Sequence, residues 1–380
     1  MKRSQARVSL PKDLYFHPTF GEAEVEAVSE VIRSGRTTQF SSSKIEEFEK
    51  AFAEYVGAKE AVAVNSGTAA LHTLLAACGV GPGDEVIVPA FTFIGTVGPV
   101  LQQGARPVFA DIDPASFCMT AADAAKKITP RTKAIMPVDI FGHPADLDPL
   151  RELAKKHDIY FLEDGCQAHG SEYKGMKVGG LADATCYSFQ ESKSLATAEG
   201  GMITTNDPKL AALCREVRHQ GETEWGQIDR LGYNYRMTAL QAALGIVQLG
   251  KLDQAIQQRR KIAGIYEKAL GDLKGLTLPT EKPYAKSIFH VYSMLLPNEL
   301  SPKRDAIVQA LRRELVPAGI YYPNPLYTSP LFKDDPGPFN CPTTEDVTSR
   351  IFGLQTYQSM PLDIAEKIGI ITRDILAQYL

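Results

Sequence analysis

The sequence predicts an α/β fold built on a mostly parallel sheet with helices on both faces. Two observations carry this reading. Through the first two thirds of the chain, short apolar runs of strand length alternate with segments of helical period. Residues suited to chemistry rather than packing recur at the ends of those runs, where ligands bind on open parallel sheets.

Seven runs read as strands: 61–64, 85–88, 107–110, 134–138, 160–162, 184–189 and 202–205. Each is short, apolar and rich in Val, Ile, Ala or aromatic residues, as strands buried on both faces require. Between them, 69–77, 120–127, 147–157 and 208–217 carry helical spacing. After about Leu249 the pattern changes. A long helical segment, 252–270, precedes short mixed elements, Pro- and Tyr-rich loops and a terminal helix near 362–379. The amphipathic stretch 22–33 belongs with this second part or lies across the seam. A chain of 380 residues exceeds one small core. The expectation is a large sheet domain over residues 1–250 and a smaller C-terminal α+β domain over 251–380. No repeat or flexible linker separates them, so they should pack together.

Composition narrows the function classes. A formal charge of −4 with both signs interspersed gives no basic footprint for nucleic acid. Cys78, Cys118, Cys166, Cys186, Cys214 and Cys341 show neither paired nor C-x-x-C spacing. Neither a disulfide framework nor a metal site is expected. The first ten residues lack an apolar signal segment, and no run approaches the roughly 18 apolar residues of a membrane helix. A cytoplasmic protein with no membrane partner is expected.

Chemistry enters through three segments. Lys193 lies in Cys186-Tyr-Ser-Phe-Gln-Glu-Ser-Lys193, after Phe161-Leu-Glu-Asp-Gly-Cys-Gln-Ala-His-Gly170 and before Glu199-Gly-Gly-Met202. Taken alone, a lysine after a strand is most often a solvated surface residue, and Asp164 could equally cap a helix. The third segment, Val62-Ala-Val-Asn-Ser-Gly-Thr-Ala-Ala-Leu-His72, reads as strand, small-residue turn and helix start. Free N–H groups there form an anion site, and Ser66, Gly67 and Thr68 let a phosphate approach the amides. A Schiff-base lysine, a carboxylate for a pyridine nitrogen and a phosphate turn together are what pyridoxal 5'-phosphate requires.

With Val88-Pro-Ala-Phe-Thr-Phe93 and Gly232-Tyr-Asn-Tyr-Arg-Met237 added, the chain resembles the DegT/DnrJ/EryC1/StrS family of pyridoxal phosphate aminotransferases over nearly its whole length. The resemblance implies a type I aminotransferase fold and a homodimer with the active site at the subunit interface. It implies that Lys193 holds the cofactor and shuttles a proton, that Asp164 pairs with the pyridinium nitrogen, and that Gln167 bonds near the ring hydroxyl. Phe93 stacks on the ring; Gly67, Thr68 and Ser188 bind the phosphate, joined by Asn234 from the other subunit. Without the motif, Phe93 reads as a core aromatic and Asn234 as a turn former. Glu199 and His169 either belong to the site or support it. Arg236 or Arg230 is the candidate for the donor carboxylate.

The implied reaction moves an amino group from glutamate or glutamine to the ketone of a nucleotide-linked keto-deoxysugar. A cyclitol ketone of inosose type is the alternative acceptor, and Ser188-Phe-Gln190 with Ser192-Lys193 looks like that branch. Tyr327 stands where many relatives have histidine, and Met360-Pro361 where many have Leu-Pro, so both bear on the acceptor. A dehydratase branch carries histidine in place of the lysine, which Lys193 argues against; a non-catalytic role would need loss of Lys193, Asp164 or the phosphate turn.

Overall fold

The computed structural model describes residues 9–11, 20–335, 337 and 339–380. Seven strands form its main sheet: β1 (Glu60–Val64), β2 (Glu85–Pro89), β3 (Arg106–Ala110), β4 (Thr132–Ile135), β5 (Tyr160–Asp164), β6 (Ala184–Ser188) and β7 (Gly201–Thr205). Their spatial order is β1-β7-β6-β5-β4-β2-β3. Pairs from β6 to β3 are parallel, whereas β7 runs antiparallel to both β6 and β1. The expected mostly parallel sheet is therefore present, with one reversed strand. Because β1, β2, β5 and β6 point the same way, the loops at their carboxyl ends open on one edge.

Helices cover both faces. They are α1 (Glu22–Ser34), α2 (Lys44–Val56), α3 (Gly67–Ala77), α4 (Ile94–Gln102), α5 (Ala121–Lys127), α6 (Leu147–His157), α7 (Pro208–Arg218) and α8 (Ala239–Leu270). Helix α3 is apolar nearly all round, and accordingly lies buried against β6 and β7. Helix α6 is amphipathic and turns Leu147, Leu150 and Ala154 inward.

A second sheet of β8 (Val291–Leu295), β9 (Ala318–Gly319) and β10 (Ile351–Gln355) is antiparallel, in the order β8-β10-β9. Around it pack α9 (Arg304–Arg313), α10 (Pro342–Arg350) and α11 (Leu362–Leu376). Helix α8 joins the two parts. Ala242, Leu252 and Ile256 sit in a core with Phe48 and Phe52, whereas Ile262, Tyr266 and Leu270 sit in a core with Phe352 and Ile368. Residue 250 falls inside this helix. Val31 of α1 joins the first of these cores, and Glu24 of α1 pairs with Lys251 of α8 at 2.5 Å.

Two of the boundaries that differ from the sequence reading have a clear cause. Strand β4 stops at Ile135 because Pro137 has no N–H to continue the ladder; its carbonyl accepts the Asp164 N–H at 2.9 Å. Helix α8 starts at Ala239, not at 252, under a Thr238–Gln241 capping box. Gly245, which weakens the helical signal, is there for packing: a Cβ on it would lie 2.5 Å from Phe48 Cζ. Among the described residues, no helix is long and apolar enough to cross a membrane, and no cluster of His, Cys, Asp or Glu could hold a metal ion.

Candidate active site

At the end of β1, Ser66 caps α3 by accepting the Ala69 N–H at 3.1 Å. That leaves the N–H groups of Gly67 and Thr68 at the first two helical positions, where α-helix geometry supplies no acceptor. Strand β6 delivers Ser188 against this turn so closely that a Cβ on Gly67 would fall 2.6 Å from Ser188 Cβ. Free amides, a helix N-terminus and the Thr68 and Ser188 hydroxyls thus surround one end of a cavity of about 610 Å³.

Asp164, the last residue of β5, is buried at the cavity floor. Its Oδ1 accepts the Cys166 N–H at 3.1 Å and its Oδ2 accepts the Thr96 hydroxyl at 2.7 Å. Thr96 in turn meets Thr92 Oγ1 at 2.7 Å. Each carboxylate oxygen keeps a second lone pair for a ligand. Gln167 lines the same wall; its Oε1 accepts the Phe141 N–H at 2.8 Å and its Nε2 donates to Tyr322 Oη at 3.2 Å. Phe93, at the N-cap of α4, is 57 % exposed although it is a large aromatic. The exposure is to the cavity, where its ring lies 6.2 Å from that of Tyr322 at a 30° tilt.

Lys193 lies in the loop after β6, with its N–H bonded to Gln190 O at 2.9 Å. Burial holds its amine below the ordinary lysine range, against the pull of Cys166 and Asp164 and with the push of Arg259. Lys193, Asp164, Phe93, Gln167, Gly67, Thr68 and Ser188 therefore share one cavity. Beyond Lys193 the wall turns polar, with Gln190, Ser192, Glu199, Tyr321, Gln355 and Tyr357.

Other expected residues lie elsewhere. Asn234 is exposed and outside the lining of this chain's cavity. Arg230 bonds Glu216 at 2.6 Å, and Arg236 contacts His219 Nδ1 at 2.9 Å. Among the described residues lining the cavity there is no arginine. Glu199 lines the cavity, whereas His169 lies buried behind it against Tyr187 and Phe189. Burial, then the nearby Lys193, brings His169 down to about 3. Tyr327 donates to Glu345 at 2.7 Å and stacks on Phe339, and Met360 sits in the second core, so neither lines the cavity.

Several lining residues escaped sequence reading, among them Thr96, Tyr322, His290, Gln355 and Tyr357. Thr96 follows Thr92 by one helical turn, a spacing that could have signalled a hydroxyl pair. Tyr322 lies in the Tyr-Pro-rich loop, and a lone His290 before β8 carries no signal.

GDP-perosamine synthase of Caulobacter vibrioides is 45 % identical over 272 residues, 70 % of this chain and 73 % of that protein. The UDP-N-acetyl-3-dehydro-alpha-D-glucosamine 3-aminotransferase of Acidithiobacillus ferrooxidans is 37 % identical over 84 % of this chain and 85 % of its own. Spr1654 of Streptococcus pneumoniae, 28 % identical, has been solved in a PLP-form with a TM-score of 0.88, covering 97 % of this chain and 99 % of that one. Its PMP-form gives a TM-score of 0.91 over 97 % and 100 %. Residues 18–371, spanning both sheets and every residue of the cavity, match the DegT/DnrJ/EryC1/StrS aminotransferase family, and the chain belongs to it.

Proposed function

We propose that this aminotransferase uses pyridoxal 5'-phosphate to move an amino group from glutamate or glutamine to the ketone of a nucleotide-linked keto-sugar. The observation that carries the reading is the convergence, in one cavity, of a half-buried lysine of lowered proton affinity, a buried carboxylate, an exposed aromatic face and an anion cradle. The residues fit the cofactor. The cradle at Gly67, Thr68 and Ser188 is open because Gly67 has no Cβ, and it suits the phosphate. Asp164 suits the pyridine nitrogen and Phe93 the ring face; Gln167 lies where it can reach the ring hydroxyl. When bound, the cofactor supplies an aldehyde for amine capture and a ring that withdraws electrons.

The chain's own residues then have separable tasks. Lys193 Nζ anchors the cofactor; its lowered proton affinity also suits it to take a proton from the donor's α-carbon. Thr96 and the Cys166 amide fix both oxygens of Asp164, so its negative charge stays aimed into the cavity. The polar wall of Gln190, Ser192, Glu199 and Tyr357 suits a polyhydroxylated acceptor. Residues 1–250 form the cofactor-binding part, while His290, Tyr321, Tyr322, Gln355 and Tyr357 of the 251–380 part close the cavity.

A homodimer with shared sites completes the reading. It is supported by the lack of an arginine among the described lining residues and by the exposed position of Asn234 outside this chain's cavity, from which it would reach the phosphate of the second copy. The keto-sugar is supported by the Acidithiobacillus relative, whose name specifies a UDP-linked dehydro sugar. The test is an absorption spectrum of the purified protein. A visible band that disappears with glutamate and returns with a GDP- or UDP-linked keto-sugar is expected. Return only with an inosose-type ketone would reassign the acceptor, and absence of any cofactor band would overturn the reading.

A further inference from the structure

Arg259, on α8, is wholly buried and meets no carboxylate among the described residues. Its Nε donates to Gln358 Oε1 at 3.0 Å, Nη1 to His290 O at 3.1 Å and Thr356 Oγ1 at 3.3 Å, and Nη2 to Ser192 O at 3.2 Å. All of these acceptors are neutral. Buried charges are normally paired with opposite charges, because a lone ion loses more hydration than neutral dipoles return. The cost shows in Arg259 itself, which burial brings down to about 10.

The position of that cation is informative. The three segments it ties together each contribute to the cavity wall: Ser192 precedes Lys193, His290 begins the approach to β8, and Thr356 lies between Gln355 and Tyr357. An amide or a hydroxyl could serve as a neutral staple there. The guanidinium adds a fixed positive charge behind the lysine.

We propose that Arg259 is a positioning residue that sets the reactivity of Lys193, holding its loop by the Ser192 carbonyl and placing beside its amine a positive charge that meets no carboxylate among the described residues. This rests on Lys193 being the cofactor's anchor. The groups around Lys193 are Asp164 and Cys166 from the end of β5, His169 from the next turn, His290 before β8 and Arg259 from α8, with Glu199, Tyr321, Tyr322 and Tyr357 lining the same cavity and Tyr357 also acting on Arg259. Burial raises the Cys166 thiol and lowers both histidines, so these three are neutral near pH 7. Of the buried neighbours, the Asp164 carboxylate and the Arg259 guanidinium act on the Lys193 proton in opposite directions. Without Arg259 only burial opposes the pull of the carboxylate, and the Lys193 nitrogen keeps its proton to higher pH.

The experiment is a pH titration of the holoenzyme's visible absorption in Arg259→Met, Arg259→Gln and Arg259→Lys. The two neutral replacements should move the midpoint upward by about one pH unit, about tenfold in proton affinity. Arg259→Lys, which keeps the charge but not the fork, should stay near the wild-type midpoint. A midpoint unchanged in the neutral variants, or displaced equally in all three, overturns the proposal. If Arg259→Met does not fold, Arg259→Gln decides, since an amide can still bond the same carbonyls. Borohydride reduction and peptide mapping separate the underlying reading: cofactor fixed on another lysine refutes the Lys193 assignment, while cofactor fixed on Lys193 with an unmoved midpoint refutes only the role of Arg259.

Discussion

Gly67 and Ser188 approach so closely that a Cβ on the glycine would stand 2.6 Å from Ser188 Cβ, nearer than side-chain carbons can come. The contact brings the first turn of α3 against the end of β6, so two strand ends shape one anion cradle. Gly67→Ala should push these segments apart and weaken cofactor binding by about 1–3 kcal/mol, the usual cost of overpacking. Spectral titration with pyridoxal phosphate measures this. Gly264→Ala is the control, since nothing lies within 4 Å of a Cβ there and helix propensity favours alanine. Equal cofactor affinity in the two variants would remove Gly67 from the cradle.

Lys193→Ala should leave cofactor bound through the phosphate and ring contacts but abolish turnover. The visible band should no longer be fixed to protein by borohydride. Retention of more than a small fraction of transamination would refute the assignment.

Asp164→Asn tests the carboxylate separately, because the amide can keep an acceptor oxygen for Thr96 or the Cys166 amide. Losing the charge should slow proton removal from the donor by orders of magnitude, in line with about 3–5 kcal/mol for a buried charge partner. Thr96→Val leaves the charge in place and should cost less, about 1–2 kcal/mol for one charged hydrogen bond. Single-turnover rates with glutamate rank the two, and near-normal rates in Asp164→Asn would make that residue structural.

His169 gives a pH prediction with a definite sign. Its folded value, about 3, lies below the ordinary 6.5, so between these values the unfolded chain binds a proton that the native protein does not. Stability from this group falls as pH drops through that window, by up to about 1.4 kcal/mol per unit. Glu163 and its buried neighbour Asp139 act oppositely: burial raises both carboxyls, so the native state holds a proton there at a pH where the unfolded chain has released it. His72, His143 and His290 are also lowered by burial and remain in both proteins, so comparing His169→Asn with wild type isolates His169, and the variant should gain about 1–2 kcal/mol relative to wild type between pH 6.5 and 5 in urea unfolding. A constant difference would mean that His169 titrates normally.

Much of this site was legible because its parts lie at strand ends with short-range signals. Ser66-Gly67-Thr68, Asp164 and Lys193 each follow a recognisable apolar run, and the sheet brings those run ends to one edge. What was not legible depends on tertiary contact. Helix α4 contains Gly95, Gly98 and Pro99, which erase its helical signal, and it still forms because the sheet buries Val97 and Val100. Arg259 reads in sequence as one member of a charged helical stretch. Only the fold shows that it points inward to Ser192, 67 residues away in the chain.

The last prediction concerns the dimer. Asn234 follows the exposed 222–228 hairpin, is exposed outside the lining of its own cavity, and is held by the Asn65 Nδ2 contact to its carbonyl at 3.4 Å. Tyr233 and Tyr235 on either side stack at 5.0 Å, and Tyr235 bonds His72 of α3 at 2.9 Å, so the segment is a fixed presentation. If it reaches the phosphate of the second copy, a two-fold dimer gives and receives the same patch, and neither subunit owns a complete site. Asn234→Asp should then impair cofactor binding by bringing a negative charge to the phosphate. Mixing inactive Lys193→Ala with inactive Asn234→Asp protein, after dissociation and reassociation, should regenerate one competent site per heterodimer. That site pairs the intact Lys193 of one protomer with the intact Asn234 of the other. Activity should approach about one quarter of wild type, because random pairing makes half of the dimers mixed and each mixed dimer has one of two sites working. A mixture that exchanges subunits, stays folded and remains inactive would leave Asn234 as a turn residue only.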